Sequence, residues 1–330
     1  MKIAILGAGA WGSALAISFS IRHQINLWTK DPDHAVDMGN RRINQAFLPG
    51  YSLPASLKIT SQLIEALEGV DLALIVVPIA GLRETLRAIV SNNIRIPIIW
   101  GCKGFETETA YLPHQIVEEE YGDILSYCGV LSGPSFAEEV AQGLPTALTF
   151  ASSNPEFSSR VSAELHSSIL RIYTSQDIIG VETGGAIKNV ITIAVGISDG
   201  IGFGYNARAA LITRGLMEIT RLGLGLGGKM ETFMGLAGVG DLILTSTGDL
   251  SRNRKVGLML AAGKTLHDIL NELGHVAEGV HTARSVLKLG KKLNIEMPIT
   301  QAVCSILHEG VSARSAVEVL LNREQKSEIY

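Results

Sequence analysis

The chain is short of charge, of cysteine and of long apolar runs, and each shortage removes a class of protein. Asp, Glu, Lys and Arg make up 18% of the 330 residues, against 46% hydrophobic residues. So little charge means that much surface is hidden, in an interface between domains or between subunits, and a homodimer is expected. There is no basic excess either. The net charge is −4 and the pI about 6.1, which argues against a nucleic-acid partner. The cysteines are Cys102, Cys128 and Cys304, far apart and without a CxxC, so neither a disulfide framework nor a zinc knuckle is expected. A reducing, cytoplasmic setting follows. The eight histidines show no HxxH or HExxH spacing, and no metal is assigned. No run reaches about 18 uninterrupted apolar residues, which argues against a membrane-spanning helix. A leader peptide is not expected, because the glycines from Gly7 onward break the apolar start. Internal repeats and low-complexity tracts are also absent.

What is present divides the chain in two. In the first half, short apolar runs alternate with helical stretches. Strands are predicted at Lys2–Leu6, Ile25–Trp28, Asp71–Val77, Ile96–Trp100, Gly129–Ser132, Ala147–Ala151 and Leu170–Tyr173, with a helix at Trp11–Ile21. Strand, helix, strand repeated implies a mainly parallel, doubly wound α/β sheet with right-handed crossovers. After about Asp177 the spacing becomes helical, at Ala186–Ile197, Ala207–Leu222, Ser251–Ala262, Leu266–Leu273, Thr282–Leu289 and Ala313–Leu320. The expected organisation is a dinucleotide-binding domain over 1–176 and a mostly α-helical substrate domain over 177–330.

Five motifs carry chemistry. Gly7-Ala8-Gly9-Ala10-Trp11-Gly12 follows a strand and opens a helix, the context a dinucleotide fingerprint requires. Gly7 permits the tight turn, Gly9 lets backbone approach a pyrophosphate, and Gly12 allows close helix–strand packing. At the end of the second strand, Lys30 suits the 2′-phosphate of NADP. Its neighbour Asp31 either binds the ribose of NAD or caps the next helix. Either cofactor remains open. Lys103, in Gly101-Cys102-Lys103-Gly104, follows a strand, where ligands of this fold bind; it is otherwise a solvated loop lysine. Lys188 and Asn189 interrupt an apolar helix. A buried ammonium there is a candidate general acid and base, whereas one at a boundary would reach for water. Finally, Gly235-Leu236-Ala237-Gly238-Val239-Gly240-Asp241-Leu242 is followed by Thr245 and then by Ser251-Arg252-Asn253-Arg254. Ser251 is a plausible helix N-cap that would set Arg252 and Asn253 at a positive helix end fit for a small phosphate, or else leave a bare surface arginine pair.

In this order, with Phe47-Leu48-Pro49-Gly50, Val77-Pro78, Gly133-Pro134-Ser135, Ala137-Glu138-Glu139-Val140 and Glu278-Gly279-Val280, the motifs span nearly the whole chain. The sequence resembles the bacterial-type NAD(P)-dependent glycerol-3-phosphate dehydrogenases. The resemblance implies reversible hydride transfer between sn-glycerol 3-phosphate and dihydroxyacetone phosphate, supplying glycerophospholipid synthesis. By the same resemblance Lys188 matches the proton donor and acceptor, with Lys103 and Asp241 beside it as catalytic residues. Lys103, Gly133, Ser135, Lys188, Asp241, Ser251, Arg252 and Asn253 match substrate-contacting positions. Gly7, Gly9, Ala10, Trp11, Gly12, Lys30, Lys103, Ala137, Arg252, Val276 and Glu278 match the cofactor side. Asp241 could orient the amine or bind a substrate hydroxyl. Two positions depart from the family pattern: Cys102 stands where threonine is common and Phe136 where histidine is common. Oxidation of Cys102 beside Lys103 is one route to inhibition; a quiet buried cysteine is the other. The competing readings are another two-domain dehydrogenase, of the β-hydroxyacid or 6-phosphogluconate type, and a non-catalytic NAD(P) sensor.

Overall fold

A computed structural model describes residues 1–122, 127–274, 277–322 and 324. The strands are β1 (Lys2–Leu6), β2 (Gln24–Trp28), β3 (Ile43–Asn44), β4 (Leu48–Ser52), β5 (Lys58–Thr60), β6 (Leu72–Ile75), β7 (Ile98–Trp100), β8 (Cys128–Ser132), β9 (Thr146–Ala151) and β10 (Leu170–Ser175). Between them run α1 (Ala10–Phe19), α2 (Pro32–Arg41), α3 (Leu63–Leu67), α4 (Ile79–Ser91), α5 (Pro113–Tyr121), α6 (Ala137–Ala141) and α7 (Pro155–Leu165). Eight strands form one sheet in the order β10-β9-β8-β7-β6-β1-β2-β5, and β3 and β4 make a separate hairpin.

Both faces of this sheet are covered, which is why its strands read as unbroken apolar runs. Ile3, Ile5, Leu72 and Leu74 pack on one face, and Ala4, Leu6, Ala73 and Ile75 on the other. The crossovers diverge between β1 and β6, where Leu6 pairs with Ile75. A crevice at such a switch point is where open α/β sheets take ligands. The sheet is not parallel throughout. Strand β9 pairs antiparallel with β8 and parallel with β10, so these last two run against the other six. The link from β8 to β9 holds only the short α6, too little helix for a parallel crossover.

The second half is helical: α8 (Ile178–Ile201), α9 (Gly204–Gly225), α10 (Met230–Phe233), α11 (Asp241–Thr247), α12 (Arg252–Ala261), α13 (Leu266–Leu273), α14 (Glu278–Lys292), α15 (Pro298–His308) and α16 (Ala313–Leu321). A single π-helical turn, Leu236–Gly240, leads into α11. Helix α8 is long and apolar enough to cross a membrane by length and composition, yet it is buried within the protein. Every residue from Gly180 to Ser198 is buried, as befits a central helix wrapped by others. The two cores interleave: Phe105 and Leu112 from the first half join the helical core, while Val181 and Ala237 from the second half join a sheet face.

Candidate active site

The glycine loop has three glycines for three physical reasons. Gly7 has φ +120°, and a Cβ there would fall 2.9 Å from the Val76 backbone. At Gly12 an added Cβ would lie 1.9 Å from the Gly7 carbonyl oxygen, so only hydrogen lets α1 start against the loop. Gly9 has nothing within 4 Å of its Cβ position, leaving the loop open on the side of the helix N-terminus. The Trp11 ring is seated against Gly101, where a Cβ would come within 2.3 Å of it, and its indole N–H is buried without a protein partner. An open backbone cradle and an unmet donor beside it fit a dinucleotide.

At the end of β2 the two charged groups separate. Asp31 caps α2, its Oδ1 accepting from Asp33 N at 2.9 Å and His34 N at 3.2 Å. Lys30 stays exposed, with Glu84 at 4.0 Å as its counter-ion. Ala137 opens α6 and packs against the sheet core beside the loop. Val276 lies outside the described residues.

The chemistry gathers where the end of β7 meets α8. Lys103 follows β7 in a loop that turns at Gly104, φ +124°, against Thr282 and Glu278 of α14. From α8, Gly185 faces this loop; a Cβ there would fall 2.9 Å from Ser132 Oγ and 3.6 Å from the Lys103 stem. Gly184, beside it, would meet the Ala237 carbonyl oxygen at 2.6 Å. Bare helix surface thus lets the Lys103 loop on one side and the π-helical turn on the other close in on α8. That turn delivers Asp241 between two lysines: Lys103 Nζ donates to Oδ2 at 2.6 Å and Lys188 Nζ to Oδ1 at 2.5 Å. Lys188 also donates to Thr245 Oγ1 at 2.6 Å.

Both Lys188 and Asp241 are buried, whereas Lys103 is 22% exposed and forms the open side of the cluster. Burial pushes the Lys188 ammonium down to about 8, and the like charge of Lys103 adds to the fall against the pull of Asp241. For Asp241 burial acts upward, but the two ammonium groups outweigh it and hold its carboxyl below the usual range.

Around this cluster stand the remaining candidates. Ser251 caps α12, its hydroxyl accepting from Arg254 N at 3.2 Å. Arg252, next along, is exposed and makes no hydrogen bond or ion pair among the described residues. Asn253 is buried and already engaged: its amide donates to Asn189 Oδ1 at 3.0 Å and accepts from Gly279 N at 3.1 Å. It ties α12 to α8 and α14, which leaves Arg252 as the open group of the pair. Glu278, at the start of α14, is pushed up to about 7 by burial, against the lowering effect of Arg252. Gly133 turns with φ +143° after β8, and Ser135 Oγ donates to its carbonyl oxygen at 3.2 Å. The next residue, Phe136, reaches α11's exit, where a Cβ on Gly248 would come within 2.4 Å of its ring. Cys102 is buried, and desolvation pushes its thiol far above the range in which thiolate forms, so the quiet reading holds.

Both halves of the chain match models of one family: "NAD-dependent glycerol-3-phosphate dehydrogenase N-terminus" over residues 2–158 and "NAD-dependent glycerol-3-phosphate dehydrogenase C-terminus" over residues 177–318. The chain belongs to the NAD-dependent glycerol-3-phosphate dehydrogenase family. It is 64% identical to the glycerol-3-phosphate dehydrogenase [NAD(P)+] of Nitrosospira multiformis, over 100% of both chains. With the enzyme of the same description from Nitrosomonas eutropha the identity is 58% over 99% of each. Its structure is similar to the crystal structure of glycerol-3-phosphate dehydrogenase from Coxiella burnetii, with TM-score 0.93, 43% identity, and coverage of 98% of this chain and 99% of that one. A D-mandelate dehydrogenase solved with NADH shares the fold alone, at TM-score 0.62 and 15% identity over 96% of this chain and 100% of that one.

Within this candidate site, the sequence places Thr245 in the Asp241 motif but gives it no part. The signal was there: Asp241 and Thr245 are four apart on one helix, which sets both on the same face. Sequence reasoning also passed over Glu182, Trp100 and His114, for which no short motif exists.

Proposed function

We propose that this chain reduces dihydroxyacetone phosphate to sn-glycerol 3-phosphate with NADH or NADPH, reversibly, at the Lys103–Asp241–Lys188 cluster. The observation that carries the reading is the buried Lys188 ammonium, held to Asp241 at 2.5 Å while Lys103 holds the other carboxylate oxygen at 2.6 Å. A carbonyl that accepts hydride becomes an alkoxide, and fixed positive charge lowers the cost of that change. Lys188 gives its proton to this oxygen in the reductive direction and takes it back in the oxidative one. Asp241 spends both oxygens on the two amines, which favours orientation of the lysines over binding of a substrate hydroxyl. Arg252, open at the mouth, suits the phosphate, and Gly133, Ser135, Ser251 and Asn253 shape the turns around it. The bound nicotinamide supplies the hydride; Gly7 to Gly12, Trp11, Ala137, Arg252 and Glu278 are the residues that would hold its carrier.

Lys30, free of Asp31, favours the 2′-phosphate of NADP. Units of 1–176 and 177–330, a cytoplasmic setting and a homodimer belong to the same reading. The three cysteines are buried, as suits a reducing compartment. An apolar groove of about 890 Å³ in the helical half, walled by Leu211, Ile306 and Val317, offers a second copy a face to cover. The deciding assay follows the absorbance of NADPH and NADH with dihydroxyacetone phosphate. Turnover with either cofactor is expected, with the higher kcat/KM for NADPH. No turnover here but turnover on a 3-hydroxy acid would overturn the reaction, and a preference for NADH would overturn the role of Lys30.

A further inference from the structure

Glu182 sits in α8 with its side chain wholly buried, six residues before Lys188 and outside the lysine cluster. Its carboxylate accepts from the Trp100 indole N–H at 2.6 Å, from the His114 backbone N–H at 2.8 Å, and lies 2.5 Å from His114 Nδ1. No lysine or arginine pairs with it among the described residues. A buried carboxylate without a permanent cation is expensive, and a tightly packed apolar side chain would serve plain stability better. All three donors come from the dinucleotide-binding half, from the last residue of β7 and the first turn of α5.

The placement explains what such an anchor does. Trp100 ends β7, and Lys103 stands three residues further on. Along α8, Glu182, Gly185 and Asn189 share one face, with Lys188 beside it, about 9 Å from Glu182 at 1.5 Å per residue. Where α8 passes the π-helical turn at Gly184 and the Lys103 loop at Gly185, the helix has no side chains to interlock. A smooth track allows close approach and offers no resistance to sliding.

We propose that Glu182 is a positioning residue for the reaction: through Trp100 and His114 it fixes α8 against β7 and α5, and so sets Lys188 opposite Lys103 across Asp241. The proposal rests on the reading of that cluster as the reacting centre. Loosening the anchor lets Lys103 retreat. That weakens the like-charge repulsion on Lys188 and admits water, both of which raise its pKa.

The test uses full-length wild type, Glu182→Ala, Glu182→Gln and Trp100→Phe, assayed with NADPH and dihydroxyacetone phosphate across pH. Glu182→Ala should lose kcat by roughly ten- to a hundredfold, as a small misplacement of reacting groups does, while KM for NADPH changes less than twofold. The alkaline limb of its kcat/KM profile should move to higher pH. Glu182→Gln, which keeps an acceptor for Trp100 and the same shape, should recover most of the rate. Trp100→Phe should shift the limb in the same direction as Glu182→Ala, and it carries the test if that variant does not fold. A lower Tm with wild-type kcat and an unmoved limb, in whichever of these two is folded, would overturn the proposal by showing a purely structural role. Absence of turnover in the wild type overturns the reaction itself, and the proposal with it.

Discussion

Lys188 is buried, and its ammonium is pushed down to about 8 by burial first and by Lys103 second. With Lys188 as the proposed proton donor, the free enzyme must hold this proton in the reductive direction, so kcat/KM for dihydroxyacetone phosphate should fall as pH rises through about 8. In the oxidative direction the unprotonated amine is needed, and kcat/KM for glycerol 3-phosphate should rise through the same range. Lys188→Ala should abolish both limbs and cost roughly 10²–10⁴ in kcat; limbs that survive in that variant would assign the proton to another group. Glu278 titrates with the opposite consequence. Its folded pKa, about 7, lies above the 4.5 of the free side chain, so folding favours the protonated form. Its contribution to stability therefore declines as pH climbs from about 4.5 to about 7 and stays low above that. Glu278→Gln should raise Tm at alkaline pH and leave it unchanged at acid pH; equal gains at both would mean that burial does not perturb this carboxyl. At this scale the sequence was most informative where a residue type conflicted with its surroundings. A lysine in an apolar helix and a lysine after a strand could both be picked out. Their grouping with Asp241 came only through the family resemblance, because Lys103 and Asp241 are 138 positions apart and no local spacing joins them.

Helix α8 begins at Ile178, eight residues before the Ala186 at which the apolar spacing predicts it. Gly184-Gly185 looks like a helix breaker on propensity alone, since glycine costs about 1 kcal/mol relative to alanine in a helix. The structure has the glycines inside the helix because the Ala237 backbone approaches at Gly184 and the Ser132 and Lys103 side chains at Gly185. Gly184→Ala would place a methyl 2.6 Å from the Ala237 carbonyl oxygen, and backbone cannot swing aside as a side chain can. The expected cost is about 1–3 kcal/mol, together with a loss of activity as the π-helical turn shifts Asp241. Gly39 of α2, whose Cβ position has nothing within 4 Å, is the control: Gly39→Ala should be neutral or stabilising. Equal Tm values for the two variants would contradict the close packing. Other elements left no trace to read. Strands β3 and β5 have two and three residues, too few for any alternation to show. The reversed direction of β9 and β10 depends on the length of α6, not on the composition of the strands.

Across the whole molecule, the shortage of charge noticed in the composition has two outlets. One is the interleaving of the cores, where Phe105 and Leu112 cross into the helical half. The other is the groove beside α9, α15 and α16, whose rim exposes Phe203 and Leu224. If a second copy covers it, light scattering after size exclusion should give twice the 35.2 kDa of the chain. Leu211→Glu, on the groove wall, should then give the monomer mass while the protein remains folded. A monomeric wild type would rule out that face as a dimer contact.

Helix α8 also has a history during synthesis. The strands that close the sheet precede it in the chain, whereas α9, α12, α14 and α15, which cover it, all follow. From the emergence of Ile201 to that of His308 a ribosome adds about 100 residues, which takes roughly 5–20 s at 5–20 residues per second. For that interval the nascent chain carries a helix apolar enough for a bilayer, covered by the sheet domain on one side and not yet by the helices that follow. The segment that later buries Lys188 is thus exposed on one side until the last helices are made.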